Sequence, residues 1–509
     1  PTAKNTPPDQ AFLWRIGDFT NDKTCLGIIL GGKRFFSNEA AARKAKESLL
    51  MRFKPKVIVN LSKLRREGIF PNSEAPALIL IAEGKHSEQR DSFYFVCPER
   101  SIDFRRHGIV EIGAEHIKKL PVFSIVFDSD MLKVATWGSA RDIYLVEKLR
   151  SLPKIEEIAG TSPKSGFFVG NQKNETSKEI LGKKWLPSDK MPRYEIDMTE
   201  LDILSYKRLE SSRNPQIYKA PLIIISEKVE SDGICAAFSE EDVVYTKSYS
   251  GIPIPKDIVY LAHYLNGVIN SSIASYFIFM SASSWGIERN KVMTQDLAQL
   301  PVPKPNEDNE KLISQIIEIE SRLREYSSKS IEINLRKQLD EAVFDLYALD
   351  DRERILVEDA TQITIDWYMN REKSTALRRP LAADLEAYAV QFMSVIKPFL
   401  QTLNERNIVA DIFNIAKTPL QVIKFSIVPY LGREQLIQTV QAGDLVTVLK
   451  SIAEQLPPKL ADRIFSRRNA RIYIGEYLYI IKPAQLRYWS RSAGLNDADT
   501  VLAEHLRKN

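Results

Sequence analysis

The chain has 509 residues, of which 44% are hydrophobic and 27% are charged, a composition that suits a globular protein of about three domains. Its formal net charge of +5 is mild, so charge alone permits a nucleic-acid partner without requiring one. No run approaches about eighteen uncharged apolar residues and the first residues have no apolar signal core, which argues against a membrane span and a secretory address.

The first patterned stretch alternates short apolar runs with one helical pattern. Residues 26–30 are apolar and end at Gly31-Gly32, and residues 38–53 have helical spacing. Residues 57–60 and, after a proline-rich turn, residues 77–81 are further continuous apolar runs. This alternation predicts a mainly parallel sheet with these strands in its interior.

A polar segment rich in glycine, serine and lysine, residues 151–190, predicts a domain boundary. Beyond it, the turn-forming residues that start at Arg213 lead into an apolar run at 222–225, which predicts a strand. Lys247 lies just before a second turn, Gly-Ile-Pro-Ile-Pro. Both basic residues are therefore expected on loops next to strands.

Residues 260–277 carry one apolar stripe at helical spacing, which predicts a helix buried on that face. Several serines follow, then Trp285-Gly286 and a polar run that includes Arg289 and Lys291. Such small, turn-permissive residues predict a loop with one exposed aromatic and a basic pair, placed to contact a partner. A further amphipathic turn ends at Pro301.

The remaining residues give mainly helical patterns. Residues 311–349 predict two helices, and residues 351 to about 465 predict further helices. Residues 471–480 alternate apolar and polar side chains as a hairpin does. Residues 482–492 interleave basic and aromatic side chains, which suits a surface for phosphate or stacked bases, or equally a docking patch for another subunit.

Two groups of motifs resemble a known family. The pattern YL...LNG.INSS.A.Y from Tyr260, with SWGIER from Ser284 and LPVP from Leu300, resembles the closing segment of the target recognition domain of adenine-N6 DNA methyltransferases. These enzymes belong to restriction-modification and related phage-defence systems. The earlier segment, with GIILGG from Gly27 and GIFP from Gly68, is similar to the second half of the catalytic domain in that family.

The resemblance, which covers about residues 10–350, and the helical and hairpin patterns beyond it together predict an α/β fold divided into four parts. These are a partial Rossmann-like methyltransferase sheet in residues 1–150, a mixed α/β target recognition domain in 151–310, a helical connector in 311–350, and a mainly helical C-terminal domain with a terminal β-hairpin in 351–509.

The resemblance also implies site residues. In the family, an aromatic at the Phe70 position stacks on the extruded adenine, since a base removed from the duplex needs a π-face in place of its neighbours. The alternative for Phe70 is a buried core aromatic. Family loops of this kind face DNA, so the predicted DNA-binding residues are Arg213, Lys247, Trp285, Arg289 and Lys291. Trp285 is expected to wedge against the DNA backbone or against the core beneath it.

The sequence lacks the motifs that the family uses for chemistry. A site for S-adenosylmethionine needs a glycine-rich turn with G-x-G spacing, and the catalytic loop needs Pro-Pro followed by an aromatic residue. The nearest strings, Thr6-Pro7-Pro8-Asp9 and Leu30-Gly31-Gly32-Lys33, match neither. We therefore expect that S-adenosylmethionine is bound by a part missing from this chain, either a partner polypeptide or an N-terminal half, and that the chain alone is inactive.

Three widely separated cysteines without a C-x-x-C pair, and five histidines without ligand spacing, predict neither a zinc site nor a disulfide framework. A cytoplasmic protein is expected. The leading hypothesis is the double-stranded-DNA-recognition part of an S-adenosylmethionine-dependent adenine-N6 DNA methyltransferase. The alternatives are a non-enzymatic DNA-binding specificity subunit of a defence complex, and a protein-interaction scaffold whose basic patches are ordinary surface.

Overall fold

The structure is a computed structural model. It describes residues 8–37, 39–65, 67–70, 74–128, 130–188, 191–325, 328–404, 406–414, 419–429, 436–441, 450 and 469–506. Contacts divide the chain into two compact units, Pro1–Gly108 with Lys118–Thr361, and Ile109–Ile117 with Gln362–Asn509. Within the described ranges no helix has both the length and the apolar character needed to cross a membrane, and no group of three or more His, Cys, Asp or Glu could hold a metal ion.

The elements follow in chain order. The helices are α1 Pro8–Ile16, α2 Ala40–Arg52, α3 Ile102–His107, α4 Val122–Phe127, α5 Met131–Trp137, α6 Ala140–Arg150, α7 Ile155–Ala159, α8 Val259–Ile269, α9 Ser272–Ser281, α10 Thr294–Ala298, α11 Glu310–Arg324, α12 Lys329–Leu346, α13 Asp351–Asp359, α14 Asp366–Asn370, α15 Ala382–Asn404 and α16 Arg491–Leu506. The strands are β1 Cys25–Gly31, β2 Lys54–Asn60, β3 Ala77–Glu83, β4 Ser92–Val96, β5 Ile117–Pro121, β6 Lys164–Ser165, β7 Asn174–Glu175, β8 Trp185–Leu186, β9 Tyr194–Glu195, β10 Arg208–Leu209, β11 Leu222–Ser226, β12 Ala236–Ser239, β13 Val244–Tyr245, β14 Tyr249–Pro253, β15 Arg406–Asn414, β16 Leu420–Pro429, β17 Ile437–Gln441, β18 Ala470–Ile474 and β19 Tyr477–Pro483. The chain is thus a mixed α/β protein, as predicted.

The first sheet has the strand order β1-β3-β2-β4-β5. Strand β3 is antiparallel to both β1 and β2, and β2 is parallel to β4. Strands β1, β2 and β4 point in one direction, but β3 runs opposite to them between β1 and β2. Two of these three ladders are therefore antiparallel, and the prediction of a mainly parallel sheet is wrong for these strands. The described residues between β2 and β3, 61–65, 67–70 and 74–76, form no helix long enough for a parallel crossover, and the chain returns antiparallel.

The two faces of the first sheet differ. Inward-facing residues such as Leu30, Ile58 and Leu80 are buried in one cluster with Leu49 and Phe53, at the α2 side of the sheet. On the opposite face the side chains alternate outward: Ile29 is 54% exposed, Ile81 is 36% exposed and Tyr94 is 51% exposed. The prediction that these strands all lie in the sheet interior is therefore wrong for β1, the terminal strand of the order.

The second sheet, called here the recognition sheet, has the order β6-β14-β11-β12-β9. Strand β11 is antiparallel to both β12 and β14, β14 is antiparallel to β6, and β12 is parallel to β9. The predicted strand at 222–225 is the fully buried central strand β11. Helix α8 packs on β12, and α11 packs on α8.

The Asn and Gly residues of the LNG.IN motif join α8 to its neighbours. Asn266 Nδ2 donates to the Tyr194 carbonyl (2.9 Å) and to a Glu320 carboxylate oxygen (2.7 Å). Asn270 exchanges two hydrogen bonds with the backbone of Ala236. A Cβ on Gly267 would lie 2.8 Å from Ile316 of α11, so only glycine allows this helix contact. The motif therefore holds the recognition sheet against its helices.

The second unit contains a sheet of order β17-β15-β16-β19-β18, on which α15 packs. The predicted hairpin is confirmed as antiparallel β18 and β19, and helices are confirmed within 351–404. Within 406–441 the predicted helices are wrong, because the chain forms β15, β16 and β17. Much of the rest of the predicted helical stretch, 442–449 and 451–465, lies outside the described residues.

Part of the predicted phosphate-binding or stacking surface at 482–492 is buried. Lys482 is 2% exposed and Trp489 is fully buried. The Lys482 ammonium pairs with the carboxylate of Asp497, to which the Tyr388 hydroxyl also donates (2.6 Å). For Lys482 and Trp489 the surface prediction is wrong, since the cation is neutralised and both residues lie in the interior.

Candidate nucleic-acid interface

One end of the recognition sheet collects three chain segments. Ser226 at the end of β11 lies opposite Tyr249 at the start of β14, and Ser250 lies opposite Ser165 at the end of β6. The segments that follow β6, follow β11 and precede β14 therefore leave the sheet on the same side. We call this region, residues 166–168, 211–213, 227–228 and 246–250, the sheet end.

A short extended segment after β6 holds two loops together. The Phe167 N–H donates to the Tyr245 carbonyl (3.0 Å), and the Lys247 N–H donates to the Phe167 carbonyl (2.7 Å). On the other side, the Phe168 N–H donates to the Ser211 carbonyl (2.9 Å). These bonds bring together the loop before β14 and the loop that carries Arg213, which are far apart in sequence.

Arg213 and Lys247 both meet neutral partners at the sheet end. Arg213 is exposed and adopts a φ of 63°, and its Nε donates to the Gly166 carbonyl (3.2 Å). Lys247 is exposed, and its Nζ lies 3.1 Å from the centroid of the Phe168 ring. In the described part of the chain neither cation lies within ion-pair distance of a carboxylate. A ring or a carbonyl orients a cation without cancelling its charge.

Lys291 is held at the same end by a carboxylate. Its Nζ lies 2.6 Å from Glu227 Oε2, and the Glu227 side chain is only 5% exposed. Backbone bonds tie the two segments together: the Val292 N–H donates to the Glu227 carbonyl (2.8 Å), and the Val229 N–H donates to the Asn290 carbonyl (3.1 Å). The charge of Lys291 is thus balanced inside the protein.

Arg289 lies between these cases. Its side chain is 70% exposed, and its Nε is 3.8 Å from a carboxylate oxygen of Glu288. That carboxylate also pairs with Lys33 (3.1 Å), so it is shared between two cations. The charge of Arg289 is therefore only partly neutralised within the protein, and its exposed side chain can contact an external partner.

Trp285 is fully buried, and the prediction that it is an exposed aromatic is wrong. Its ring packs edge-on against Phe279, with centroids 5.2 Å apart. The turn at Gly286 has a φ of 83°, and the Gly286 carbonyl accepts from Trp137 Nε1 (2.9 Å). Ile287 belongs to the core of the first sheet. Of the two roles predicted for Trp285, contact with the core is the one observed.

Two buried charged groups support this loop from below. Lys133 Nζ donates to the carbonyls of Ala282 (2.9 Å) and Trp285, and burial lowers the pKa of this lysine to about 7. The carboxylate of Asp296 accepts from the Met293 N–H (3.2 Å), and burial raises its pKa to about 6. Both groups bond to backbone of the loop and its flank, and burial is the main cause of both pKa shifts.

Phe70 is half-buried beside a small concavity. The space is lined by Leu61, Leu64, Arg65, Ile69, Phe70, Ala75 and Ala77. Residues 71–73, which follow Phe70, lie outside the described residues. Base stacking by Phe70 stays a prediction.

The turn nearest to a cofactor motif does not fit S-adenosylmethionine. The Gly31 N–H donates to the Asp9 carboxylate (2.8 Å), and the Gly32 N–H donates to the Pro76 carbonyl (2.7 Å). A Cβ on Gly32 would lie 3.2 Å from the Pro76 backbone, so the glycine serves strand packing. The amides that a cofactor turn would offer are engaged within the protein. Thr6 and Pro7, from the other candidate string, lie outside the described residues.

Sequence reasoning missed Phe168 and Glu227, the side chains that hold Lys247 and Lys291. A ring beneath one lysine and a carboxylate beside the other decide how much charge each presents. Only the position of Phe168 after a glycine-containing turn offered a signal. The pairing of Glu227 with Lys291 depends on the fold.

Neither a protein-family model nor a curated protein matches the sequence. Among solved structures, the chain is similar to the type IIG restriction endonuclease BpuSI, with a TM-score of 0.26 and 11% identity over 68% of this chain and 49% of that one. It is also similar to the type IIL restriction-modification enzyme MmeI in complex with DNA, with a TM-score of 0.39 and 11% identity over 69% of this chain and 52% of that one. The chain thus spans about half the length of these enzymes, and neither likeness is close enough to carry a functional argument.

Proposed function

We propose that this chain is the DNA-recognition part of an S-adenosylmethionine-dependent adenine-N6 DNA methyltransferase in a restriction-modification or phage-defence system. The observation that carries the proposal is the convergence of Arg213 and Lys247 at the sheet end, where each has only neutral partners among the described residues. Both residues were selected from sequence motifs alone. Cations that keep their charge on one surface are what the phosphates of duplex DNA attract.

The four basic side chains then divide by role. Arg213, Lys247 and Arg289 bind phosphates and set the position of the duplex. Lys291 neutralises Glu227 and holds the 289–292 segment against the recognition sheet. Trp285 contributes through the core only, since it is fully buried.

Phe70 receives the extruded adenine in this proposal. Phe70 borders a small concavity together with Leu61, Leu64 and Ile69. The Phe70 ring supplies the π-face that the base loses when it leaves the duplex.

Two features of the first sheet favour the proposal that a partner polypeptide carries the cofactor site. Strand β1, Cys25–Gly31, is terminal in its sheet and contains no charged residue or proline, the usual protection of an edge strand. Ile29 on this strand, and Ile81 and Tyr94 elsewhere in the sheet, are exposed on one face. A further polypeptide segment would add strands next to β1, cover this face and bind S-adenosylmethionine.

The test has two stages and uses the full chain. First, its affinity for a DNA duplex is measured by fluorescence anisotropy over a salt series, and we expect it to fall steeply with salt. The control variant is Lys219→Ala, because Lys219 is paired with Asp242 (2.7 Å) and should change the slope little. Binding that does not respond to salt would favour the protein-interaction scaffold.

The second stage adds the polypeptide encoded directly upstream and supplies S-adenosylmethionine labelled on its methyl group. Transfer of label to the N6 of adenine supports the methyltransferase. Salt-dependent DNA binding without transfer would favour the non-enzymatic specificity subunit.

A further inference from the structure

A short two-stranded ribbon extends from the sheet end. Strands β7 and β10 pair antiparallel, with Arg208 opposite Glu175 and Leu209 opposite Asn174. The pairing continues beyond the strands, because the Thr176 N–H donates to the Lys207 carbonyl (3.0 Å). Asn174 Nδ2 also donates to the carbonyl of Glu210 (2.6 Å).

The ribbon is continuous with the surface that carries Arg213 and Lys247. Directly after β10, the Glu210 N–H donates to the Phe168 carbonyl (3.0 Å), and the Phe168 N–H donates to the Ser211 carbonyl (2.9 Å). The ring that lies beneath Lys247 therefore belongs to the residue that anchors the ribbon. A duplex bound by the sheet end would lie against the ribbon as well.

Two side chains of opposite charge stand outward on this ribbon. Leu209 is fully buried and fixes which face points inward. Arg208 and Glu175 are both exposed and directly opposite each other. Cross-strand pairs of opposite charge often form ion pairs, yet in the described part of the chain neither side chain lies within ion-pair distance of the other or of any other charged group. The flanking residues include three exposed lysines, Lys173, Lys178 and Lys207.

We propose that Arg208 and Glu175 contact base edges in the major groove and so determine part of the target sequence. The inference rests on the proposed function. The major groove admits a two-stranded ribbon, an arginine there donates two hydrogen bonds to guanine O6 and N7, and a glutamate accepts from the cytosine N4 amino group. The pair therefore selects G·C base pairs. Arg213 and Lys247 bind phosphates and carry no sequence information.

The chemistry also explains why the two charges remain apart in the free protein. An ion pair between them would have to break before either could bind a base, which would weaken discrimination. Lysines on both sides of the ribbon add phosphate contacts without sequence preference. The ribbon thus separates base-contacting residues from phosphate-contacting ones.

The experiment selects binders of the full chain from a randomised DNA duplex library, with sequencing after each round. We expect the wild-type chain to enrich a motif that contains G·C pairs. Arg208→Ala should lose the guanine preference at one position by about 5- to 150-fold, and Glu175→Gln should lose a cytosine preference. Arg208→Lys keeps the charge but not the bidentate geometry, so it should keep affinity and lose discrimination.

The matched control is Arg322→Ala, which removes another exposed arginine, on α11, and should leave the motif unchanged. Circular dichroism and thermal melting show that each variant is folded. A wild-type motif that both Arg208 variants and Glu175→Gln retain in full would overturn the inference, as would salt-dependent binding by the wild type without any enriched motif. Failure of the wild type to bind duplex DNA at all would instead overturn the proposed function, and the inference with it.

Discussion

Replacing Lys291 with methionine distinguishes a structural cation from a DNA-binding one. The variant leaves the Glu227 carboxylate without its 2.6 Å partner in a site where only 5% of its side chain is exposed. Among the described residues, Ser250 Oγ at 3.5 Å is the side-chain hydrogen-bond donor that remains for Glu227. An unsatisfied buried charge of this kind destabilises by about 1–3 kcal/mol, and the lower half of that range applies because Lys291 is itself 38% exposed and screened by solvent.

The assay is urea denaturation of the full chain, compared with the matched variant Lys247→Met. Lys247 lies over a neutral ring, so its loss should change the free energy of unfolding by no more than about 1 kcal/mol. Adding Glu227→Gln to Lys291→Met should restore stability, because the pair is then neutral. In DNA binding the larger effect should belong to the other variant. Lys247→Met should lower the slope of log affinity against log salt by about one, and Lys291→Met should leave that slope unchanged. A Lys291→Met variant that keeps full stability and has a lower salt slope would refute the structural role of Lys291.

Further expected outcomes concern the ring beneath Lys247, the buried tryptophan, the concavity and one buried acid. Phe168→Leu should weaken DNA binding by about 2- to 5-fold while Phe168→Tyr keeps it, and Phe168→Leu should add nothing in a Lys247→Ala background, as anisotropy would reveal. Trp285→Ala should lower stability by about 3–5 kcal/mol in denaturant, whereas a surface role would leave stability intact. In the reconstituted enzyme Phe70→Ala should slow methyl transfer by about 5- to 150-fold and Phe70→Trp should keep most of the rate; instability of both variants would instead identify a core residue. Burial raises the pKa of Asp340 from an ordinary 3.8 to about 6, so the folded state binds this proton more tightly and stability should fall as pH rises from about 4 to about 6, by on the order of 1 kcal/mol per pH unit. Asp340→Asn should flatten that part of the pH profile, and an unchanged profile would contradict the assignment.

The loop positions of Arg213 and Lys247 were predictable from the sequence. Turn residues next to a continuous apolar run indicate a loop beside a buried strand, and the run at 222–225 is the central strand β11. The convergence of the two loops was not predictable, because it depends on the bonds that Phe167 and Phe168 make to both. The local residue pattern predicts the secondary-structure element, whereas the strand register determines which segments lie next to it in space.

The burial of Trp285 was also not predictable from its neighbours in sequence. Its neighbours in sequence are serines, a glycine and charged residues, the composition of an exposed turn. The cover comes from elsewhere in the chain, through Trp137 and Lys133 on α5. The residues near Trp285 in sequence do not indicate that these distant residues pack against the loop.

The strands at 406–441 could have been predicted by comparing the apolar pattern with the two-residue period of a strand as well as with the 3.6-residue period of a helix. Ile408, Ala410 and Ile412 lie on one face of β15 and are buried in one cluster, whereas Phe413 on the other face is buried in a second cluster, so the apolar residues occupy the two faces of a strand. The reversal of β3 follows from a different signal, since the described part of the connection from β2 contains no helix of crossover length.

The most direct test of DNA recognition at the sheet end is the salt dependence of duplex binding for the wild-type chain and for the double variant Arg213→Ala/Lys247→Ala. Within the ranges that the structure describes, each cation meets only neutral partners, so each should release about one counterion on binding phosphate. The plot of log affinity against log salt should therefore be shallower by about two for the double variant, at unchanged thermal stability. An equal slope for the two proteins would contradict the account.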